Sequence, residues 1–131
     1  MQKESISFII LAAGKGSRMR SNIPKVLHSL AGEPIIFHVL KKILSLSNKI
    51  TLKKIIVVLG HESDLVKNNI SSYFPNIGFA VQDKQYGTAH AVLSAKESLK
   101  NTSGKVVVLC GDTPLISTKL ILDLIKLSKT K

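Results

Sequence analysis

The sequence holds one cysteine, Cys110, in 131 residues. A lone cysteine excludes an internal disulfide and a cysteine-based zinc site, and it agrees with a reducing compartment. Apolar residues make up 44% of the chain. They never run for the roughly 18 consecutive positions that a membrane-spanning helix needs, so no membrane partner is expected. Acidic residues are scarce: 8 stand against 19 Lys and Arg, a formal charge of +11. Arginine is scarcer still, with Arg18 and Arg20 the only two. Arginine is the usual reader of groove edges and phosphates. The lysines are scattered, with pairs at Lys41-Lys42 and Lys53-Lys54. This reads as a solvated lysine-rich surface rather than a nucleic-acid face, part of which can serve a polyanionic small ligand. His28, His38 and His61 lack metal-ligand spacing, and His90, one turn into an expected helix, reads as packed or capping rather than catalytic. Lys3 and the apolar stretch after it lack the form of a leader: Glu4 interrupts, and the stretch runs into Gly14-Lys15-Gly16 instead of a cleavage site. The cytoplasm is therefore the expected compartment. Repeats, linkers and low-complexity stretches are absent, and the length suits one domain.

What is present alternates between two periods. Ser5 to Leu11 is a β-rich apolar run ending at glycines, which predicts a buried strand. Pro34 is expected in the first turn of a helix whose inward face is Ile35, Ile36, Val39, Leu40, Ile43 and Leu44. Ile55 to Leu59 predicts a second strand, Ser63 to Phe74 a helix, and Ile77 to Gln82 a third strand. Thr88 is placed to cap a helix running to Leu99, with Ala91, Val92, Ala95 and Leu99 inward. Lys105 to Cys110 predicts a fourth strand. Ser117 or Thr118 caps a last helix facing inward through Leu120, Ile121, Leu124, Ile125 and Leu127. Strands apolar along their whole length need cover on both faces, which parallel sheets with crossover helices provide. The expected fold is α/β, a doubly wound, mainly parallel sheet. Ligands in such sheets sit beyond the C-terminal ends of the strands. Four loops occupy that edge: 12–24, 60–62, 83–88 and 111–114.

The first of these loops carries the strongest signal. It reads Leu11-Ala12-Ala13-Gly14-Lys15-Gly16-Ser17-Arg18-Met19, with Pro24-Lys25-Val26-Leu27 following. Two glycines after a buried strand let backbone N–H groups approach an anion. Lys15, Arg18 and Lys25 add three cations, suited to the roughly four negative charges of a nucleoside triphosphate. The spacing fits neither a Walker A loop nor the dinucleotide fingerprint, whose third glycine is missing.

The string resembles the signature of the sugar-1-phosphate nucleotidyltransferases, most closely the uridyltransferase domain of the bifunctional N-acetylglucosamine-1-phosphate uridyltransferases. Further segments match in order: Pro24 to His28 with Gly32-Glu33-Pro34; Gln82 with Tyr86-Gly87-Thr88-Ala89-His90-Ala91; and Leu109-Cys110-Gly111-Asp112-Thr113-Pro114-Leu115-Ile116. The resemblance implies the Rossmann-like nucleotidyltransferase fold, of which residues 1–131 would be the N-terminal, nucleotide-binding part. It implies transfer of a uridylyl group from UTP to N-acetylglucosamine-1-phosphate, giving UDP-N-acetylglucosamine and pyrophosphate for cell-wall and lipopolysaccharide precursors.

The same resemblance implies roles for residues. Leu11, Ala12, Ala13 and Gly14 supply backbone contacts to the nucleoside, within a nucleotide site that also includes Gly16. Lys15 and Arg18 hold the departing phosphates. Lys25 bridges the phosphates and stabilises charge at the α-phosphorus, so Arg18 and Lys25 are the catalytic cations. Gln82 with Gly87-Thr88 reads the uracil edge. Cys110 and Gly111 line the nucleotide, and Asp112 binds Mg²⁺. Cys110, where the family often has Tyr, reads as a buried small residue. In the family the domain continues well past the length seen here. That remainder carries most contacts to the acetamido sugar, a second metal ligand and, in bifunctional members, a β-helix acetyltransferase. A second polypeptide carrying the missing half is the partner this implies. Two other readings stay open at this stage: a related transferase such as a molybdopterin guanylyltransferase, and a non-catalytic nucleotide-binding module.

Overall fold

The computed structural model describes residues 4–12, 25–60, 64–82, 88–113 and 116–127. Strand β1 (Ser5–Leu11) is the central element. After it come a 3-10 turn at Lys25–Leu27, a small hairpin of β2 (Ser29–Leu30) and β3 (Glu33–Pro34), and helix α1 (Ile35–Leu44). Next follow β4 (Thr51–Leu59), α2 (Asp64–Tyr73), β5 (Gly78–Val81), α3 (Thr88–Lys96), β6 (Lys105–Cys110) and α4 (Thr118–Leu127). The four long strands form one sheet in the order β5-β4-β1-β6, and every pairing in it is parallel.

Two cores lie on the two faces of this sheet. On one, Ile6, Phe8 and Ile10 of β1 meet Val57 and Leu59 of β4 and the inward residues of α1, α2 and α4. Phe8, Ile6 and Ile10 are completely buried, each burial contributing about 1.5–3 kcal/mol. On the other face α3 sets Ala91 and Ala95 on Ile9, Ile56, Val58 and Ala80. Small residues let this helix sit close to the strands. Ser117 caps α4: its Oγ accepts the N–H of Leu120 at 3.0 Å, an arrangement worth about 1 kcal/mol.

Several sequence expectations are corrected. Pro34 is not in the first turn of α1. It precedes the helix with φ −55° and ψ 143° and closes β3, paired with Ser29. The hairpin has only two paired residues per strand, too few to show a periodicity. Its turn, Ala31-Gly32, has φ of 54° and 84°, the double positive φ of a two-residue hairpin connection. Strand β4 starts at Thr51 rather than Ile55, because backbone pairing of Thr51 and Leu52 to Ser5 and Ile6 recruits a polar stretch. The third strand is trimmed to Gly78–Val81, and the helix from Thr88 tightens to 3-10 over Glu97–Leu99. Cover on both faces holds for β1 and β4 but fails for β6, where Val106 and Val108 are exposed. Leu44 of α1 and Leu120 and Leu124 of α4, expected inward, are also exposed. Cys110 is exposed rather than buried, since it shares the open face of β6.

Candidate nucleotide site

A sheet ordered β5-β4-β1-β6 reverses its winding between β1 and β6. The chain leaves β1 for β4 on one side and returns after β5 to β6 on the other. At such a switch point the connections from neighbouring strands part, and a crevice opens beyond the C-terminal strand ends. Four of the predicted site segments converge on this edge. Parallel register brings Leu11 beside Val58 and Cys110, and Leu59 beside Val81.

Three backbone hydrogen bonds extend the ladders past the strand ends. Ala12 N–H donates to the Val58 carbonyl at 2.9 Å, Gln82 N–H to Leu59 at 2.7 Å, and Gly111 N–H to Leu11 at 2.9 Å. They hold the starts of three loops in one row: residues 12, 82 and 111. Gln82 is buried at the C-terminal end of β5.

Gly111 is enclosed. A Cβ there would lie 3.2 Å from the Leu11 carbonyl oxygen and 3.3 Å from Val26 Cγ1 and Ile36 Cδ1. A side chain there would fit only if these neighbours gave by a few tenths of an ångström. The same contacts show that the Lys25–Leu27 turn adjoins the end of β6, because Val26 is a buried core residue packed there. Two segments 85 residues apart by number, 26 and 111, thus meet at the switch point.

Beyond Gly111 the chain turns. Thr113 Oγ donates to the Cys110 carbonyl at 2.9 Å, which bends the segment around Asp112. Asp112 is half-exposed at this turn. Among the described residues no group of three or more His, Cys, Asp or Glu side chains could hold a metal. Asp112 is a single carboxylate at this turn.

The structure thus brings together Leu11, Ala12, Gln82, Cys110, Gly111 and Asp112, with Lys25 at the head of the adjoining turn and Thr88 as the first residue of α3. Ala13, Gly14, Lys15, Gly16, Arg18 and Gly87 lie outside the described residues. The sequence reading missed Val26 and Ile36, which shape the site by walling Gly111. Val26 stood in the Pro24-Lys25-Val26-Leu27 segment and Ile36 on the expected inward face of the first helix, but neither was read as a site residue. No helix among the described residues is long and apolar enough to cross a membrane.

A wholly parallel sheet with a glycine string leaving its central strand at the switch point defines the doubly wound nucleotide-binding class. Within that class the chain belongs to the MobA-like NTP transferase domain family, whose model matches residues 8–131. It is 46% identical over 113 residues to the bifunctional protein GlmU of Clostridioides difficile (strain 630). It is 43% identical over 118 residues to the bifunctional protein GlmU of Anaeromyxobacter sp. (strain K). These alignments cover 86% and 88% of this chain but 23% of each relative, so the chain spans about a quarter of their length. Among solved structures it superposes on Rv0371c of Mycobacterium tuberculosis H37Rv with a TM-score of 0.71 at 19% identity, covering 97% of this chain and 61% of that one. The same mycobacterial protein is also known as a complex with manganese.

Proposed function

We propose that this chain is the nucleotide-binding part of a transferase that moves a uridylyl group from UTP to N-acetylglucosamine-1-phosphate. The observation that carries the reading is the convergence of Leu11-Ala12, the Lys25–Leu27 turn, Gln82 and Gly111-Asp112 on one edge of the sheet. The likeness to GlmU proteins over most of this chain supports the uridyl specificity.

The chemistry needs positioning more than acid or base. The acceptor phosphate is already an anionic nucleophile. Its oxygen bonds to the α-phosphorus as the bond to the β-phosphate bridging oxygen breaks, and pyrophosphate leaves with those electrons. The obstacle is repulsion between two polyanions and charge on the departing group. Lys15 and Arg18 would neutralise the leaving phosphates, and Lys25 the charge at the α-phosphorus. The row of backbone amides at the strand ends and the buried Gln82 would orient the nucleoside. Asp112 would hold Mg²⁺, which when bound supplies charge neutralisation between phosphate oxygens. The sugar acceptor would draw on the further polypeptide that relatives carry. Residues 1–131 would then bind nucleotide with little turnover by themselves, because in-line geometry supplies much of the rate.

Isothermal titration with Mg²⁺ and UTP, ATP, GTP or CTP tests the reading. UTP is expected to bind most tightly. Equal affinity for all four would remove the uridyl assignment, and preference for GTP would favour the guanylyltransferase alternative.

A further inference from the structure

Helix α1 presents two polar side chains, one turn apart, to the hairpin that precedes it. His38 Nε2–H donates to the Leu30 carbonyl at 2.5 Å, and the Lys41 ammonium pairs with the Glu33 carboxylate. Positions i and i+3 share a helix face, and Leu30 and Glu33 are themselves opposite each other across the hairpin. The two grips therefore close on one residue pair, beside the Ala31-Gly32 turn. At the base of the hairpin the Ile35 N–H donates to the His28 carbonyl at 2.9 Å. Polar bonds have to hold this element. A hairpin this short is marginal by itself, and burial gives little help, since Ser29 and Leu30 are both exposed. The Lys41–Glu33 pair is exposed too, and exposed pairs contribute little, whereas His38 is half-buried. The helix behind these grips is fixed, because Ile36, Val39, Leu40 and Ile43 are completely buried.

The hairpin begins where the Lys25–Leu27 turn ends, with His28 alone between them. Val26 secures that turn on the sheet side, buried beside Gly111 at the end of β6. On its other side the turn runs straight into the segment that α1 grips. We propose that His38 is a positioning residue for Lys25: its hydrogen bond to Leu30 fixes the hairpin and, through it, the backbone that carries the Lys25 cation at the edge of the nucleotide crevice. This rests on the transferase reading above. A cation already in place for a triphosphate adds more affinity than one on a free segment, because ordering that segment on binding costs free energy.

The test is calorimetric titration of UTP with Mg²⁺ into the chain and its variants. His38→Ala should weaken UTP binding about three- to tenfold, the scale of one lost hydrogen bond. His38→Gln keeps a side-chain donor and should restore most of that affinity. In a Lys25→Ala background His38→Ala should cost nothing further, since the histidine acts through Lys25. Ile70→Val, a truncation at a fully buried position of α2, controls for stability: it should lower the urea midpoint and leave UTP affinity unchanged. In the nucleotide-free chain, amide exchange over residues 26–35 should quicken in His38→Ala and slow again in His38→Gln. Unchanged exchange there would overturn the proposal whatever UTP does. So would a Gln variant no better than Ala, or a His38→Ala loss that is the same with and without Lys25. Lys25→Ala with undiminished UTP binding would sink the transferase reading and this role together. Where Lys25→Ala does weaken binding and the His38→Ala loss simply adds to it, only the role of His38 falls.

Discussion

The backbone N–H of Gly111 donates to the carbonyl of Leu11 across 2.9 Å. This hydrogen bond ties the end of β6 to the residue from which the glycine string departs. It is a cross-strand bond at the switch point, and it fixes the spacing between Asp112 and the start of the first loop. Both sides of the candidate crevice are set by the same sheet that carries the core.

Gly111→Ala tests that closeness. The added methyl would press on the Leu11 carbonyl, Val26 and Ile36 at 3.2–3.3 Å. Relief requires the end of the central strand, Val26 or Ile36 to shift by a few tenths of an ångström. Overpacking of this kind costs about 1–3 kcal/mol. Urea denaturation should show a lowered midpoint, and nucleotide affinity should fall with it. An unchanged midpoint would mean that the wall around position 111 yields freely.

Lys25→Ala and Arg18→Ala should each weaken UTP binding, measured calorimetrically, by about 1–3 kcal/mol, the scale of charge-assisted hydrogen bonds. Lys53→Ala is the control. Lys53 is exposed in the first half of β4, toward the opposite end of the sheet. Equal effects at all three positions would leave a diffuse cationic surface in place of a phosphate site.

The hairpin turn predicts a stabilising change. Ala31 has φ 54°, a region that costs an ordinary L-residue about 1–2 kcal/mol. Asn tolerates it and Asn-Gly is a favoured turn pair. Ala31→Asn should raise the urea midpoint by an amount equivalent to about 0.5–1 kcal/mol. A lowered midpoint would show that Ala31 makes contacts outweighing its strain.

Lys41 of α1 pairs with Glu33 of the hairpin. The hydrogen bond from Lys41 is the main cause holding the Glu33 carboxyl below its ordinary value, with the charges of Lys41 and His38 adding to it. A depressed carboxylate stabilises the fold above its unfolded-state pKa, and loses that contribution as pH falls through its folded-state value. The stability gap between the native chain and Glu33→Gln should therefore be present at neutral pH and close under acid. Both side chains are substantially exposed, so added salt should narrow the gap too. A gap that widens in acid would contradict the pairing.

Much of this architecture was legible in the chain. Ser5–Leu11 and Lys105–Cys110 were read with the boundaries observed, because each is a continuous apolar run that leads into a glycine turn. The Ser117 cap was legible because a hydroxyl just before an amphipathic run has a local role. The motif order also pointed to the family before any fold was seen. Local sequence carries such features because they depend on neighbours along the chain.

Tertiary structure decided the rest. That Val26 and Ile36 wall Gly111 depends on contacts across the fold, which no local pattern encodes. Thr51 joined β4 because Glu4 and Ser5 offered backbone partners, a choice indifferent to its polar side chain. Val106 and Val108 look like their buried counterparts in β1 and β4. Their exposure follows from the sheet order, which sets β6 at an edge that α3 does not reach. A valine specifies its preference for burial; only the arrangement of the whole sheet decides whether that preference is met.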